Sequence, residues 1–136
     1  MKNYLKNCIL IQKWQMNIPV NTTTKKYFRQ SLEVLKILPP LNTLRPRELD
    51  VLAGFLYFDY KYKDVEIGAR SKILFDYDTK LQIRETINID EQSFNNCMTS
   101  LRKKGILKKR GIETNYGLTI SPEGTASITF NFKINE

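Results

Sequence analysis

An α+β fold, mostly helical and finishing in strand, is what the sequence predicts, and three observations carry that expectation. Residues 91–104 hold apolar side chains at helical spacing between Asp90, a good helix start, and Gly105, a good helix stop. A shorter helical segment precedes this one, separated from it by only a few residues. At the C-terminal end Ile128, Phe130, Phe132 and Ile134 alternate with Thr129, Asn131 and Lys133, the period of two that a half-buried strand requires.

Taken in order, residues 1–22 read as an extended N-terminal arm and residues 23–136 as the folded domain. In the arm Trp14, Met16, Ile18 and Val20 alternate with Gln15, Asn17 and Pro19, and Pro19 has no N–H to give to a neighbouring strand, which suits an edge. Those four apolar residues are candidates either for covering the domain's own core or for contacting a neighbouring subunit. Thr22, Thr23 and Thr24 offer caps for a first helix, with Phe28, Leu32, Leu35 and then Leu38 on one face and Pro39-Pro40 to stop it. Pro46 opens a second helix whose inner stripe is Leu49, Leu52, Ala53 and Leu56, widened by Phe55 and Phe58. From residue 58 to 69 aromatic and charged residues mix without a clean period, and residues 68–75 predict a short helix ending in Ile73-Leu74-Phe75.

The next stretch is the most informative. Asp78 is placed to cap a helix running through Ile87, with Leu81, Ile83 and Ile87 inward, and Asn88-Ile89-Asp90 makes a tight connection to the helix of residues 91–104. Asn88 stands where such a turn needs a positive φ, which asparagine tolerates. Ile106-Leu107 then begins a strand, a loop rich in turn formers (Gly111, Gly117, Pro122, Gly124) follows, and the alternating segment closes the chain. Helix, turn, helix, strand, long loop and strand is the order of a winged helix-turn-helix, here with a C-terminal β wing of two or three strands.

The helix of residues 91–104 separates its faces. Phe94, Cys97, Met98 and Leu101 occupy one side, and a projection at ~100° per residue puts Gln92, Asn96, Thr99 and Lys103 opposite, with Asn95 and Arg102 at the flanks. Amides can bridge adenine edges, Arg and Lys can reach guanine, and a threonine methyl can touch thymine, so this face suits a reader of the major groove. Arg102, Lys103, Lys104, Lys108, Lys109 and Arg110 then place six basic side chains in nine positions. Such a cluster repels itself unless it is solvated or partnered, and phosphates are natural partners.

Two segments resemble known DNA-binding families. Leu44-Arg45-Pro46-Arg47-Glu48-Leu49-Asp50-Val51-Leu52 resembles the helix opening of LuxR-type DNA-binding domains, which usually carry Thr where this chain has Arg45. Leu101-Arg102-Lys103-Lys104-Gly105-Ile106-Leu107 resembles the junction between recognition helix and wing in MarR-like and phage winged-helix proteins, a likeness that extends over about residues 44–134. Carried onto this sequence, it implies groove contacts from Gln92, Asn95, Asn96 and Thr99, and phosphate or minor-groove contacts from Lys108, Lys109 and Arg110. A fainter similarity, to small proteins of crAss-like bacteriophages, rests on the Leu-Arg-Lys-Lys-Gly junction and the alternating terminal strand, and implies a viral origin.

Composition narrows the functional classes. The chain has 136 residues, 41% hydrophobic and 26% charged, enough for one domain with a real core. Its 22 basic and 14 acidic residues give a net charge of +8, which favours partners of negative charge. There is no histidine, which removes the commonest general base and metal ligand. Cys8 and Cys97 form no paired motif and read as thiols of a reducing compartment. Asp76 and Asp78 lack a third acidic partner nearby and read as turn and cap residues, not as a metal pair. The glycines of 111–124 show no phosphate-loop signature. The expectation is a non-enzymatic nucleic-acid-binding protein of phage origin, homo-oligomeric, without cofactor, metal or small-molecule ligand and without a membrane span. It would bind duplex DNA in the host-cell cytoplasm. The alternative is a structural subunit of a phage virion, a head-to-tail connector or ring protein, that contacts other phage structural proteins.

Overall fold

A computed structural model describes residues 22–108, 111–112, 118–120, 124, 126–128 and 133–134. Five α-helices make up most of this: α1 (Thr24–Leu35), α2 (Pro46–Lys61), α3 (Ile67–Leu74), α4 (Tyr77–Ile87) and α5 (Glu91–Lys103), with a 3-10 turn over Leu41–Thr43 between the first two. Among the described residues strand is confined to β1 (Leu107–Lys108), β2 (Gly111–Ile112), β3 (Leu118–Ile120) and β4 (Ala126–Ile128).

Four of the five helices begin where a side chain satisfies free N–H groups, and α2 begins at Pro46, which has no N–H to satisfy. Thr23 Oγ1 accepts from Lys26 N, Glu66 accepts from Gly68 N and Ala69 N, Asp76 from Thr79 N at 2.8 Å and Asp90 from Ser93 N at 2.6 Å. The cap of α4 is therefore Asp76, two residues ahead of the expected Asp78. Asp78 lies instead in the first turn, where a carboxylate still suits the helix dipole. Helix α1 stops at Leu35, short of the prolines, because the ring of Pro39 cannot coexist with a helical carbonyl four residues earlier. The Leu35 carbonyl accepts from Leu38 N at 3.0 Å instead.

Helix α2 lies at the centre and packs against α1, α3, α4 and α5. Leu49, Val51, Leu52, Ala53, Phe55 and Phe58 are all buried, so this helix is enclosed around most of its circumference and not along one stripe. Phe55 contacts Phe75 and Phe94 with ring centroids 5.2 and 6.2 Å apart, which ties the end of α3 and the start of α5 to the same point. Phe28 and Leu32 of α1, Ile83 of α4 and Phe94, Met98 and Leu101 of α5 complete the core, with Ile106 and Leu107 sealing it after α5. Gly54 lets α4 approach: a Cβ there would stand 2.6 Å from Ile83 Cγ2.

The expected α+β class, a winged helix-turn-helix with a C-terminal β wing, is not what forms; the described residues are mostly helical. β1 pairs antiparallel with β2 through Leu107↔Ile112 and Lys108↔Gly111, and β3 with β4 through Leu118↔Ile128, Thr119↔Ser127 and Ile120↔Ala126. These are two separate local pairs, and the long-range pairing of the first strand with the last, which a wing needs, is not among them. Each pair is shorter than an independently stable sheet, and local pairing costs less closure entropy than pairing across a long loop. Of the alternating terminal segment, Ile128 ends β4, residues 129–132 fall outside the described part, and Ile134 is 81% exposed. Of the apolar residues after α5, Ile106 and Leu107 go to the helical core.

The expected arm, with Trp14, Met16, Ile18 and Val20, also lies outside the described residues. Residues 58–69, without a reading from sequence, complete α2, turn over 62–65 and enter α3 through the Glu66 cap. Among the described residues no helix is long and apolar enough to cross a membrane.

The tight approach at Gly54 gives a direct check. Gly54→Ala should raise helix propensity by about 1 kcal/mol yet destabilise the fold, because the stiff, buried Ile83 side chain cannot retreat and crowding of this kind costs about 1–3 kcal/mol. Adding Ile83→Leu, which lacks the Cγ2 branch, should recover part of the loss; urea unfolding midpoints of the single and double variants measure both.

Candidate nucleic-acid interface

Helices α4 and α5 are joined by Asn88, Ile89 and Asp90 alone. Asn88 adopts the left-handed conformation, φ 53°, and its N–H donates to the Glu85 carbonyl while Ile89 N donates to Arg84 O at 3.1 Å. This closes α4 and turns the chain sharply into α5. Arg47 holds the turn from outside, with Nη1 donating to the Ile87 carbonyl at 2.7 Å, a cation at a helix C-terminus. Gly105, φ 75°, performs the corresponding reversal after α5.

The orientation of α5 is set on two sides. Its apolar face buries Phe94, Met98 and Leu101 against the core. Its second anchor is polar: Glu48, in the first turn of α2, has a side chain only 4% exposed, and it accepts from Ser100 Oγ at 3.1 Å and from Lys104 Nζ at 2.9 Å. Lys104 Nζ also donates to the Thr43 carbonyl at 2.8 Å. A buried carboxylate is tolerable only when paired and hydrogen-bonded, and here both conditions hold. Lys104 is thus committed to the fold and leaves the run of six basic residues counted in the sequence.

With those sides anchored, the remaining face of α5 is open. Gln92, Asn95, Asn96, Thr99, Arg102 and Lys103, the six residues expected to line it, are all exposed. Thr99 Oγ1 donates to the Asn95 carbonyl at 2.9 Å, so the hydroxyl proton serves the helix and the methyl is the group left to meet a partner. Lys108 is exposed at the end of β1, while Lys109 and Arg110 lie outside the described residues.

Two further basic groups flank this face, and sequence reasoning did not include them. Arg45 precedes α2 as its N-cap residue but makes no side-chain cap; its side chain is 85% exposed, with Nε 3.8 Å from Glu48 Oε1. Arg45 and Arg47 share with Ser93, Asn96 and Ser100 an open groove of about 640 Å³ between the start of α2 and the side of α5. The signal was available in Arg-Pro-Arg at 45–47, where arginine stands in place of a capping threonine; what it lacked was a reason to place that segment beside Asn96.

The arrangement offers hydrogen-bond donors, acceptors and cations. Burial, reinforced by the nearby Glu48 carboxylate, pushes the Cys97 thiol up, which keeps it protonated and weakly nucleophilic. The backbone N–H of Ser93, and then its hydroxyl, hold the Asp90 carboxyl below its usual range, the signature of a working cap. Among the described residues no three acidic or cysteine side chains gather to hold a metal ion. In comparisons with protein-family models, curated proteins and solved structures, nothing matches this chain.

Both anchors of α5 can be tested on the fold itself. Glu48→Ala strands the Lys104 ammonium and Ser100 beside the core and should cost roughly 2–4 kcal/mol, read as a lower urea midpoint, with Glu48→Gln in between because it keeps an acceptor. Asp90→Ala should lower the melting temperature at neutral pH. Because the folded carboxyl titrates below its unfolded value, the cap contributes above the ordinary aspartate range and is lost as pH falls through the depressed folded pKa; melting curves of the two proteins should therefore converge in acid.

Proposed function

We propose that this chain is a non-enzymatic duplex-DNA-binding protein that presents the exposed face of α5 to the major groove. The observation that carries the reading is the division of α5 into a buried apolar side, a side anchored on Glu48, and an exposed side of amides, a threonine and cations, with Glu91 as the one carboxylate at its N-terminal edge. A helix about 10–12 Å across fits a groove about 12 Å wide. Asn95, Asn96 and Gln92 are the amides able to bridge adenine; Arg102 and Lys103 supply charge towards guanine or phosphate. Arg45 adds a cation beside Asn96, and the net charge of +8 favours approach to a polyanion.

A second reading, a subunit of a virus particle, draws on Val34 and Ile37, which are 72% and 77% exposed at the end of α1 and are apolar groups available to an assembly contact. Finding the chain at a fixed copy number in purified particles by mass spectrometry would support that reading, and its absence there would remove it.

DNA binding is measured by fluorescence anisotropy on labelled short duplexes. Affinity should fall linearly on a log–log plot against salt. Lys103→Glu with Arg102→Glu should weaken binding on every sequence, whereas Asn96→Ala should cost about 1–3 kcal/mol on the preferred site and little elsewhere. A wild-type protein that binds no duplex at low salt overturns the proposal.

A further inference from the structure

On the side of α5 opposite Arg45, a cleft of about 210 Å³ opens between α4 and α5. Tyr77, Lys80 and Arg84 line it from α4 at positions i, i+3 and i+7, and Glu91 and Asn95 line it from α5, over a floor that includes Phe94. The i, i+3, i+7 spacing puts the phenol, the ammonium and the guanidinium on one face of α4. Tyr77 is 68% exposed, so its hydroxyl is free to reach a ligand in the cleft.

Arg84 is the group without a local explanation. Its Nε is buried and has no hydrogen-bond partner, and among the described residues neither Arg84 nor Lys80 forms an ion pair. Asp90, the carboxylate at the end of the adjoining turn, is engaged by Ser93 N. Asp90 acts on Arg84 only through space; a partly desolvated guanidinium without a hydrogen-bonded counter-charge is costly, and an anion seated against it offsets that cost. Glu91 is the one feature of the cleft that opposes an anion; it is exposed at the first position of α5, where a carboxylate serves the helix dipole.

We infer that the cleft formed by Tyr77, Lys80, Arg84 and Asn95 is a phosphate seat that takes one backbone phosphate of a nucleic-acid strand. The inference rests on the DNA-binding reading of α5 and extends it. Asn96, on one edge of the exposed face, adjoins Arg45; Asn95, on the other edge, adjoins Lys80 and Arg84. A helix with cations along both edges meets a backbone on each side, which is the arrangement a major groove presents and a single strand does not.

The test compares wild type with Lys80→Gln/Arg84→Gln by anisotropy on a labelled duplex across a salt series. Losing one phosphate contact should lower the magnitude of the log–log salt slope by about 1 and weaken binding alike on all duplex sequences. Glu91→Gln should tighten binding. Should the double variant unfold by circular dichroism, Lys80→Gln alone, at a half-exposed position, should still reduce the slope and the affinity. Replacing chloride by inorganic phosphate at equal ionic strength should leave duplex binding unchanged; saturable competition by inorganic phosphate would overturn the backbone assignment in favour of a free-anion site. If wild type binds duplex, Asn96→Ala alters its sequence preference, and the Lys80 and Arg84 variants keep the wild-type slope, the cleft proposal falls and the α5 reading stands. If wild type binds no duplex, both fall together.

Discussion

The enclosure of α2 is the constraint on which the other elements depend. Its buried residues run around most of the helix, so no single neighbour can cover them, and α1, α3, α4 and α5 each take a share. Leaving any of those side chains wet would forfeit about 1.5–3 kcal/mol apiece, which is why four amphipathic helices that could not hold their own conformation in isolation become one packed body. Phe55 is the point where this is most acute, since it meets both Phe75 and Phe94 and is fully buried.

The candidate interface is a by-product of that enclosure. Once Phe94, Met98 and Leu101 face α2, the roll of α5 about its own axis is largely set, and the Glu48 contacts to Ser100 and Lys104 remove what freedom remains. The polar pair acts at the edge of the core, where an apolar contact would permit some sliding but a hydrogen-bonded carboxylate would not. The exposed face of α5 is accordingly rigid and held on a helix, the condition for reading a partner by hydrogen bonds without paying to order the reader.

Charge within this protein divides into cations that serve the fold and cations that face outward. Lys104 and Arg47 lie close in space to the exposed face but are committed to Glu48, the Thr43 carbonyl and the Ile87 carbonyl. Arg29 is likewise engaged, donating to Asp50 at 2.6 Å and to Glu33. Arg45, Arg102 and Lys103 project outward, and Lys80 and Arg84 flank the cleft. A count of basic residues along the chain cannot make this division, because the acceptors that claim Lys104 and Arg47 come from segments 40 to 61 positions away.

By itself the sequence determined most of the helices and the turn between α4 and α5, because capping residues, left-handed stops and the 3.6-residue period act over a few positions: a cap within Thr22, Thr23 and Thr24, then Pro46, Asn88, Asp90 and Gly105 could be read in place. The polar face of α5 was legible for the same reason. Only the tertiary structure decided how the segments after α5 pair, because strand pairing is chosen by loop closure and by competition for the core, and Ile106 and Leu107 went to the helices while β3 and β4 paired locally. It also decided that Glu48 is an interior anchor, and that Arg45 on one side and Lys80 with Arg84 on the other frame the same helix. Those are adjacencies between residues far apart in the chain, and only packing around α2 brings them together.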